Sequence, residues 1–346
     1  MHEINLTNFS LRTDLLIDDY KDIDSKDYNI KKINKDIYVE DINIKEENNI
    51  YKKKKGLYKT ITFKDITDKD NFNLVLKTFI EELKDMIKLN DIKEEDKCLI
   101  VGLGNIESTP DALGPKTLKN ILVTRHLFQL GEVEEGYRNV SILEPGVTGT
   151  TGIETKDIVL AIIKETNPNF LIIIDALATS SIDRLNKTIQ ITNSGITPGS
   201  GVNNSRISIS KETLGIPVIV IGIPTIIDSS VIVTNTIKYM IEKFSYDKEN
   251  INNKKNKLKY KIDYRDYKKE LTKEDKKYLL GIIGTLSEEE LMKLVVEVLN
   301  PIDYNYMVTP KEIDFLIDKM SLLLGKGINY SLNKKYNNNL WYNFLV

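Results

Sequence analysis

The sequence predicts an α/β fold with a mostly parallel sheet and helices on both sides of that sheet. Three short apolar runs, CLIV at 98–101, LIII at 171–174 and VIVI at 218–221, are bounded by turn residues. Such runs are typical of parallel strands that are buried on both faces. Segments with apolar residues at helical spacing lie between them, and this alternation indicates crossover connections in a parallel sheet.

The region before the first run contains one further strand and one helix. GLYKTITF at 56–63 alternates between apolar and polar residues, which predicts a strand. The stretch 71–89 carries Val75, Phe79 and Leu83 at helical spacing, which predicts an amphipathic helix.

Apolar faces predict three helices around the buried strands. The residues that share a face are Leu118, Ile121, Leu122 and Arg125 in the helix after the first run, Ile158, Val159, Ile162 and Ile163 in the helix before the second, and Val233, Ile237, Met240 and Phe244 in the helix after the third.

Two more helices are predicted near the C-terminus. The stretch 245–277 is rich in Lys, Asn, Asp and Tyr and is interpreted as an exposed insertion. Ser287 begins a capping box ahead of one helix. Thr309 begins another, with Pro310 at the first helical position and Gly325 just past the end of the helix.

The composition excludes several function classes. The net charge is −2, so the strongly basic balance of a protein that binds nucleic-acid phosphates is absent. One cysteine cannot form an internal disulfide, and two histidines cannot build a His-rich zinc site. No signal-like segment and no run of eighteen apolar residues occurs, so we expect an intracellular, soluble protein.

Common catalytic motifs are also missing. Gly102-Leu103-Gly104 follows a strand, but Glu107 stands where a dinucleotide site needs its third glycine. No P-loop, nucleophile elbow or H-E-x-x-H motif occurs. Cys98 begins a buried strand and is interpreted as a core residue, and His126 as a packed helix residue.

Two acidic residues remain as candidates for chemistry. Asp111 lies in the loop after the first buried strand, and Asp175 directly follows the second. Ligands of open α/β sheets bind beyond the carboxyl ends of the strands, so the two carboxylates are predicted to face one crevice. The alternative is that both cap helices, because an Asp ahead of a helix needs no other role. Loops next to this crevice contribute Gly102, Gly104 and Asn105, and Gly199, Ser200 and Gly201.

Several motifs resemble the spore germination protease family, in the same order along the chain. They are GLGN at 102–105, TPDALGP at 109–115, LVTRHLF at 122–128, TGIET at 151–155, IDALA at 174–178, PGSGV at 198–202 and MVTPKE at 307–312. The resemblance covers about residues 8–325. It implies an endopeptidase that degrades small acid-soluble spore proteins during germination in the spore core, without a cofactor. It further implies an inactive zymogen that cleaves itself, a homotetramer, and essential aspartates at Asp111 and Asp175.

The same resemblance implies a three-layer α/β/α sandwich like that of the hydrogenase-maturation endopeptidases, with N-terminal and C-terminal additions. The expected organisation is a propeptide at 1–14, an N-terminal strand and helix region at 15–95, a catalytic core at 96–244, the insertion at 245–277 and C-terminal helices at 278–346.

The N-terminus carries a segment that is similar to the family's substrates. Asp14-Leu15-Leu16-Ile17-Asp18 has the order acid, aliphatic, two further positions, acid. We therefore predict self-cleavage between Asp14 and Leu15.

Two alternatives stay open at this point. One is a metal-dependent peptidase of the maturation type, for which His126 is the only histidine outside the N-terminal tail. The other is a non-enzymatic α/β binding module. No membrane and no direct nucleic-acid partner is expected.

Overall fold

The structure is a computed structural model that describes residues 14–16, 27–46, 53–197, 208–252, 271–302 and 304–336. The chain divides into two compact units. The larger comprises Thr13–Thr179, Asp183–Ile226 and Thr309–Val346, and the smaller comprises Met1–Arg12, Ser180–Ile182 and Ile227–Val308.

The described elements are numbered in chain order. The strands are β1 (Tyr28–Lys32), β2 (Ile37–Ile44), β3 (Gly56–Phe63), β4 (Cys98–Gly102), β5 (Val140–Leu143), β6 (Phe170–Thr179), β7 (Thr188–Thr192), β8 (Val218–Asp228) and β9 (Met307–Val308). The α-helices are α1 (Lys69–Leu89), α2 (Leu113–Leu118), α3 (Arg125–Leu130), α4 (Thr148–Thr151), α5 (Thr155–Thr166), α6 (Lys211–Leu214), α7 (Ser229–Asn250), α8 (Lys273–Leu280), α9 (Glu288–Leu299) and α10 (Ile313–Leu332).

The larger unit is built on one sheet with the strand order β1-β2-β3-β7-β8-β6-β4-β5. Strand β4 pairs in parallel with both neighbours, so that Cys98 lies opposite Val140 on β5 and Phe170 on β6. The N-terminal strands β1, β2 and β3 extend the sheet in antiparallel order through β7. The predicted α/β class with a parallel core and an N-terminal addition is therefore confirmed.

Helices cover both faces of this sheet, which gives the three predicted layers. Alternate residues of a strand point to opposite faces. Ile172 and Ile174 of β6 pack in one core with α1, α2 and α10. Leu171 and Ile173 pack in a second core with α5 on the other face. Burial on both sides explains the uninterrupted apolar run at the start of this strand, 170–174.

Most predicted elements are confirmed, although β6 and β8 extend past the predicted apolar runs to Thr179 and Asp228. Strands β3, β4, β6 and β8 and helices α1 and α5 all appear where the apolar patterns place them. Helix α1 begins at Lys69 because the Asp68 side chain accepts hydrogen bonds from the backbone N–H groups of Asp70 and Asn71.

The helix predicted from Leu118 to Arg125 is wrong. Helix α2 ends at Leu118, and α3 begins only at Arg125. The intervening turn is held by Asn329 of α10, whose side chain accepts from Leu122 N at 2.9 Å and donates to Asn120 O at 2.8 Å. These tertiary hydrogen bonds replace helical ones, which apolar spacing cannot predict.

The predicted ends of the last helix are also wrong. Helix α10 begins at Ile313, and Thr309 does not cap it, because its hydroxyl donates to Thr225 O at 2.9 Å. Gly325 lies buried inside the helix. A Cβ at this position would lie 2.4 Å from the Cβ of Asn120. Glycine here allows close packing and does not terminate the helix.

The smaller unit contains α7, α8 and α9, and β9, which pairs with Ile227 and Asp228. Helix α7 extends to Asn250 and α8 begins at Lys273, so both ends of the stretch 245–277 are helical. The capping box at Ser287 is confirmed at the start of α9. Within the described parts of the chain, no helix is long and apolar enough to cross a membrane.

Candidate functional site

Asp175 lies within β6, four residues before the strand ends at Thr179. The sequence placed it just after the strand, so that position is corrected. The carboxylate of Asp175 accepts a hydrogen bond from the N–H of Ala176 at 2.9 Å, and the residue is half-buried. An acid at this point of a buried strand is costly unless other groups interact with it, which makes it a candidate for chemistry.

Asp111 ends a short 3₁₀ turn, Thr109–Asp111, between β4 and α2. The residue that precedes α2 is Ala112, and no side chain of the described residues caps this helix. The alternative role of Asp111 as the N-cap of α2 is therefore not seen. The carbonyl oxygen of Asp111 accepts from Asn105 N at 3.2 Å, so the loop folds back on itself.

Backbone pairing between β4 and β6 defines where the two aspartates lie relative to the end of the paired strands. Gly102 lies opposite Ile174, and the N–H of Leu103 donates to Ile174 O at 2.8 Å. Asp175 follows this pair on β6. Gly104 lies two residues past the end of β4, and a Cβ at Gly104 would lie 3.4 Å from the carboxyl carbon of Asp111. Asp175 thus lies one residue past the end of the β4–β6 pairing, and the Asp111 loop lies next to the end of β4.

The predicted supporting glycines have separate roles. Gly104 has φ of +120°, which L side chains rarely adopt, and it lets the Asp111 loop approach the strand. Gly102 instead packs against α2, because its Cβ would lie 2.7 Å from the backbone of Gly114. Asn105 stabilises the turn with its side chain, which accepts from Glu107 N at 3.0 Å. Gly199, Ser200 and Gly201 lie outside the described residues.

The segment around the predicted cleavage bond contacts β6 at Ala178, three residues after Asp175. The N–H of Asp14 donates to Ala178 O at 3.1 Å, and the N–H of Ala178 donates to the Asp14 carboxylate at 2.8 Å. Leu15 is fully buried and packs against Leu177. Because side chains alternate along a strand, Leu177 points to the same face as Asp175.

The next residue of this segment reaches across the sheet. The N–H of Leu16 donates to the side-chain oxygen of Gln190 on β7 at 3.0 Å. Its side chain is fully buried against Ile42, Ile44 and Tyr58. Gln190 was not among the residues predicted from the sequence. The available signal was a lone amide within the otherwise apolar and β-branched strand TIQIT at 188–192.

Other candidate groups of the larger unit do not contribute to this edge. Cys98 is buried, and burial raises the pKa of its thiol, as expected for a core residue. His126 was predicted to be packed, but it lies exposed on α3. Among the residues that the structure describes, no cluster of three or more His, Cys, Asp or Glu side chains could hold a metal ion.

Sequence comparison decides the family. The sequence profile of the germination proteases matches residues 11–344 of this chain. The chain belongs to the germination protease family. A germination protease of Geobacillus sp. (strain WCH70) is 48% identical over 294 residues, which cover 82% of this chain and 79% of the relative. Germination proteases of Bacillus velezensis and Priestia megaterium are each 42% identical, over 96% of this chain and 96% of the relative.

Membership of the germination protease family makes the chain a protease that acts in spore germination. The metal-dependent maturation peptidase and the non-enzymatic binding module are not favoured. A crystal structure of a [NiFe] hydrogenase maturation protease, HycI from Thermococcus kodakarensis, matches 42% of this chain and 80% of that chain at 20% identity, with a TM-score of 0.28. The family assignment rests on the sequence matches alone.

Proposed function

We propose that this germination protease initiates the degradation of small acid-soluble spore proteins in the spore core, and that Asp111 and Asp175 activate the attacking water. The observation that carries the proposal is that Asp175 and the Asp111 loop both lie next to the end of the β4–β6 pairing, at Gly102 and Ile174. The candidate cleavage segment contacts the strand that carries Asp175, through the hydrogen bonds between Asp14 and Ala178.

Peptide hydrolysis needs a base that takes a proton from water and an acid that stabilises the carbonyl oxygen as it gains charge. Two carboxyl groups that share one proton would provide both, because one group would then be ionised and the other protonated. In the proposed mechanism, the ionised aspartate accepts a proton from water while the oxygen of that water attacks the peptide carbonyl, and the protonated aspartate donates its proton to the carbonyl oxygen. The aspartate that accepted the proton then donates it to the amide nitrogen as the C–N bond breaks, and the other aspartate takes back a proton from a hydroxyl of the tetrahedral intermediate.

We also propose that the chain is a self-processing zymogen. Leu15 and Leu16 are fully buried, and Asp14 pairs with the backbone of β6, so the intact N-terminal segment occupies a strand edge that a substrate would need. Cleavage between Asp14 and Leu15 would cut this segment, so that a substrate could replace it on β6. Mass spectrometry of the processed chain tests the position of the bond, and a first residue other than Leu15 would contradict it.

A fragment assay tests the catalytic pair. Wild type, Asp111→Asn and Asp175→Asn are incubated with a purified small acid-soluble spore protein, and fragments are followed by mass spectrometry. Each Asn variant keeps the side-chain volume, so we expect loss of cleavage with an unchanged far-UV circular dichroism spectrum. Asp157→Asn on the exposed side of α5 is the control and should cleave like wild type. Cleavage within tenfold of wild type by either site variant would overturn the two-aspartate mechanism.

The expected homotetramer has a candidate interface on the smaller unit. Many large apolar side chains of its described residues are exposed, and exposed apolar patches mark interaction sites. They are Val233, Met240, Ile251, Tyr278, Leu279, Ile282, Ile283, Leu294, Val298, Ile302, Tyr304, Tyr306 and Met307. An interface of standard size removes about 800 Å² from each partner, so it requires several of these side chains to lie on one face. We therefore propose that a second copy of this chain covers this surface.

A further inference from the structure

We infer that Ala178, Leu177 and Gln190 determine which peptide bond is cleaved. The inference rests on the proposed cleavage between Asp14 and Leu15, because the segment 14–16 then represents a bound substrate. Each of the three residues contacts a different position of this segment.

The backbone of Ala178 selects an acidic residue before the cleaved bond. Its N–H donates to the carboxylate of Asp14 at 2.8 Å, and its carbonyl oxygen accepts from the N–H of Asp14 at 3.1 Å. The second hydrogen bond fixes the backbone of residue 14, so its side chain must present an acceptor to a donor at a set position. A carboxylate meets this need better than a neutral group, because a hydrogen bond to a charged acceptor is stronger.

The side chain of Leu177 forms the subsite for the aliphatic residue after the bond. Leu15 has no exposed surface and packs against Leu177, so the subsite is closed and apolar. Gly222 on β8 sets its depth. A Cβ at position 222 would lie 2.3 Å from Cδ1 of Leu177, so only glycine leaves Leu177 in its observed place.

Gln190 binds the backbone of the next residue. Its side-chain oxygen accepts from the N–H of Leu16 at 3.0 Å, in a buried environment where a lost hydrogen bond is costly. This contact involves only the main chain of the substrate and is independent of the side chain at that position. The three contacts together favour extended peptides in which an acidic residue precedes an aliphatic one.

The first experiment measures the size preference of the Leu177 subsite. Processed enzyme cleaves peptides with the sequence of residues 10–19 that carry Ala, Leu or Phe at position 15, and kcat/KM is compared. Leu177→Ala enlarges the subsite, so kcat/KM for the Phe peptide relative to the Leu peptide should rise by about tenfold. Gly222→Ala pushes Leu177 into the subsite, so kcat/KM for the Leu peptide relative to the Ala peptide should fall by about tenfold. Leu177→Met conserves volume and should keep the wild-type ratios.

The second experiment tests the other two contacts with the same peptides. Asn at position 14 keeps an acceptor without charge and should lower kcat/KM by about tenfold, and Leu at position 14 by about a hundredfold. A peptide N-methylated at residue 16 cannot donate to Gln190. Its kcat/KM should fall by about tenfold in wild type, and Gln190→Ala should lose a similar factor with the unmodified peptide. In Gln190→Ala, N-methylation should cause no further loss.

The outcomes separate this inference from the proposed function. Failure of wild type to cleave any of the peptides at this bond contradicts the proposed cleavage site itself. Cleavage with ratios that are unchanged in Leu177→Ala and Gly222→Ala overturns the subsite assignment alone. Additive losses from N-methylation and Gln190→Ala overturn the role of Gln190.

Discussion

The ammonium group of Lys59 lies 2.7 Å from the carboxylate of Glu82, and both side chains are less than a tenth exposed. Asp85 contacts the same ammonium at 2.7 Å and Asp41 at 3.5 Å. Burial opposes the charge of Lys59, but hydrogen bonds from Lys59 to Asp85 and Glu82 outweigh it and raise its pKa. This group joins β3 to α1 beside the main core.

Removing this lysine should destabilise the larger unit strongly. Lys59→Met leaves the buried Glu82 with Lys31, 3.4 Å away, as its described partner, so we expect a loss of about 3–5 kcal/mol in unfolding free energy. Urea denaturation followed by circular dichroism measures this. Lys64→Met is the control, because Lys64 is 76% exposed and lies 4.0 Å from Asp36. It should change the free energy by less than about 0.5 kcal/mol. Equal effects of both substitutions would contradict a structural role for the cluster.

Gly104→Ala should abolish most activity without changing the aspartates. The new Cβ would lie 1.9 Å from the carbonyl oxygen of Asp111, at a φ that alanine rarely adopts, so the loop must move. A displacement of about 1 Å at a catalytic group costs about a hundredfold in rate. The fragment assay measures this loss. Gly149→Ala, where a Cβ meets nothing within 4 Å, should cleave at the wild-type rate, and a wild-type rate in Gly104→Ala would refute the positioning role.

Glu40 makes stability depend on pH. Burial raises the pKa of Glu40, although the Tyr28 hydroxyl at 2.6 Å and the charge of Arg184 act in the opposite direction. Its second carboxyl oxygen is buried and has no hydrogen-bond partner among the described residues. Because the folded pKa lies above the unfolded one, the stability that this carboxyl contributes is complete below the unfolded pKa. That stability is lost as the pH rises through the folded pKa.

Glu40→Gln should therefore stabilise the protein at pH 8 and less so at pH 4. We expect a gain of about 1 kcal/mol at the higher pH, or about 2–4 °C in Tm. Thermal melts at the two pH values test this. Glu81 is the control, because its side chain is 48% exposed, and Glu81→Gln should change Tm only slightly at either pH. A Glu40→Gln effect that is larger at low pH would reverse the sign and contradict a raised pKa at this carboxyl.

If the proposed homotetramer forms through the exposed apolar side chains of the smaller unit, charge at these positions should reduce its size. Tyr278 is 90% and Ile282 79% exposed, so glutamate at either position disturbs no core. We expect Tyr278→Glu and Ile282→Glu to elute as smaller species in size-exclusion chromatography with light scattering. Ile153→Glu, at an exposed apolar position in the larger unit, should elute like wild type. Unchanged mass in both test variants would place any interface elsewhere.

The sequence predicted the parallel core well because its strands are buried on both faces. A run such as LIII at 171–174 is too short for a buried helix and fits a buried strand, and the order of these runs sets the position of the Asp111 loop after β4 and of Asp175 on β6. The same reasoning placed the cap at Ser287, because a capping box is a local interaction between residues close in sequence.

Features that depend on distant residues were not predictable. Gly325 was interpreted as a helix end, but it is a packing position whose close neighbour is Asn120, far away in sequence. The α7 face with Val233 and Met240 was expected to be buried, but the buried residues of that helix include Ser230, Val231 and Thr234. Helical spacing identifies a helix and cannot show whether a neighbour covers its apolar side.

The burial of Cys98 gives this protein a built-in reporter of opening. The chain has one thiol, which is 1% exposed at the start of β4 in the middle of the parallel core. A thiol reagent can modify it only after the core on this face of the sheet, which includes residues of α1 and α10, opens. The labelling rate in native buffer therefore measures how often this core opens, without any engineered probe.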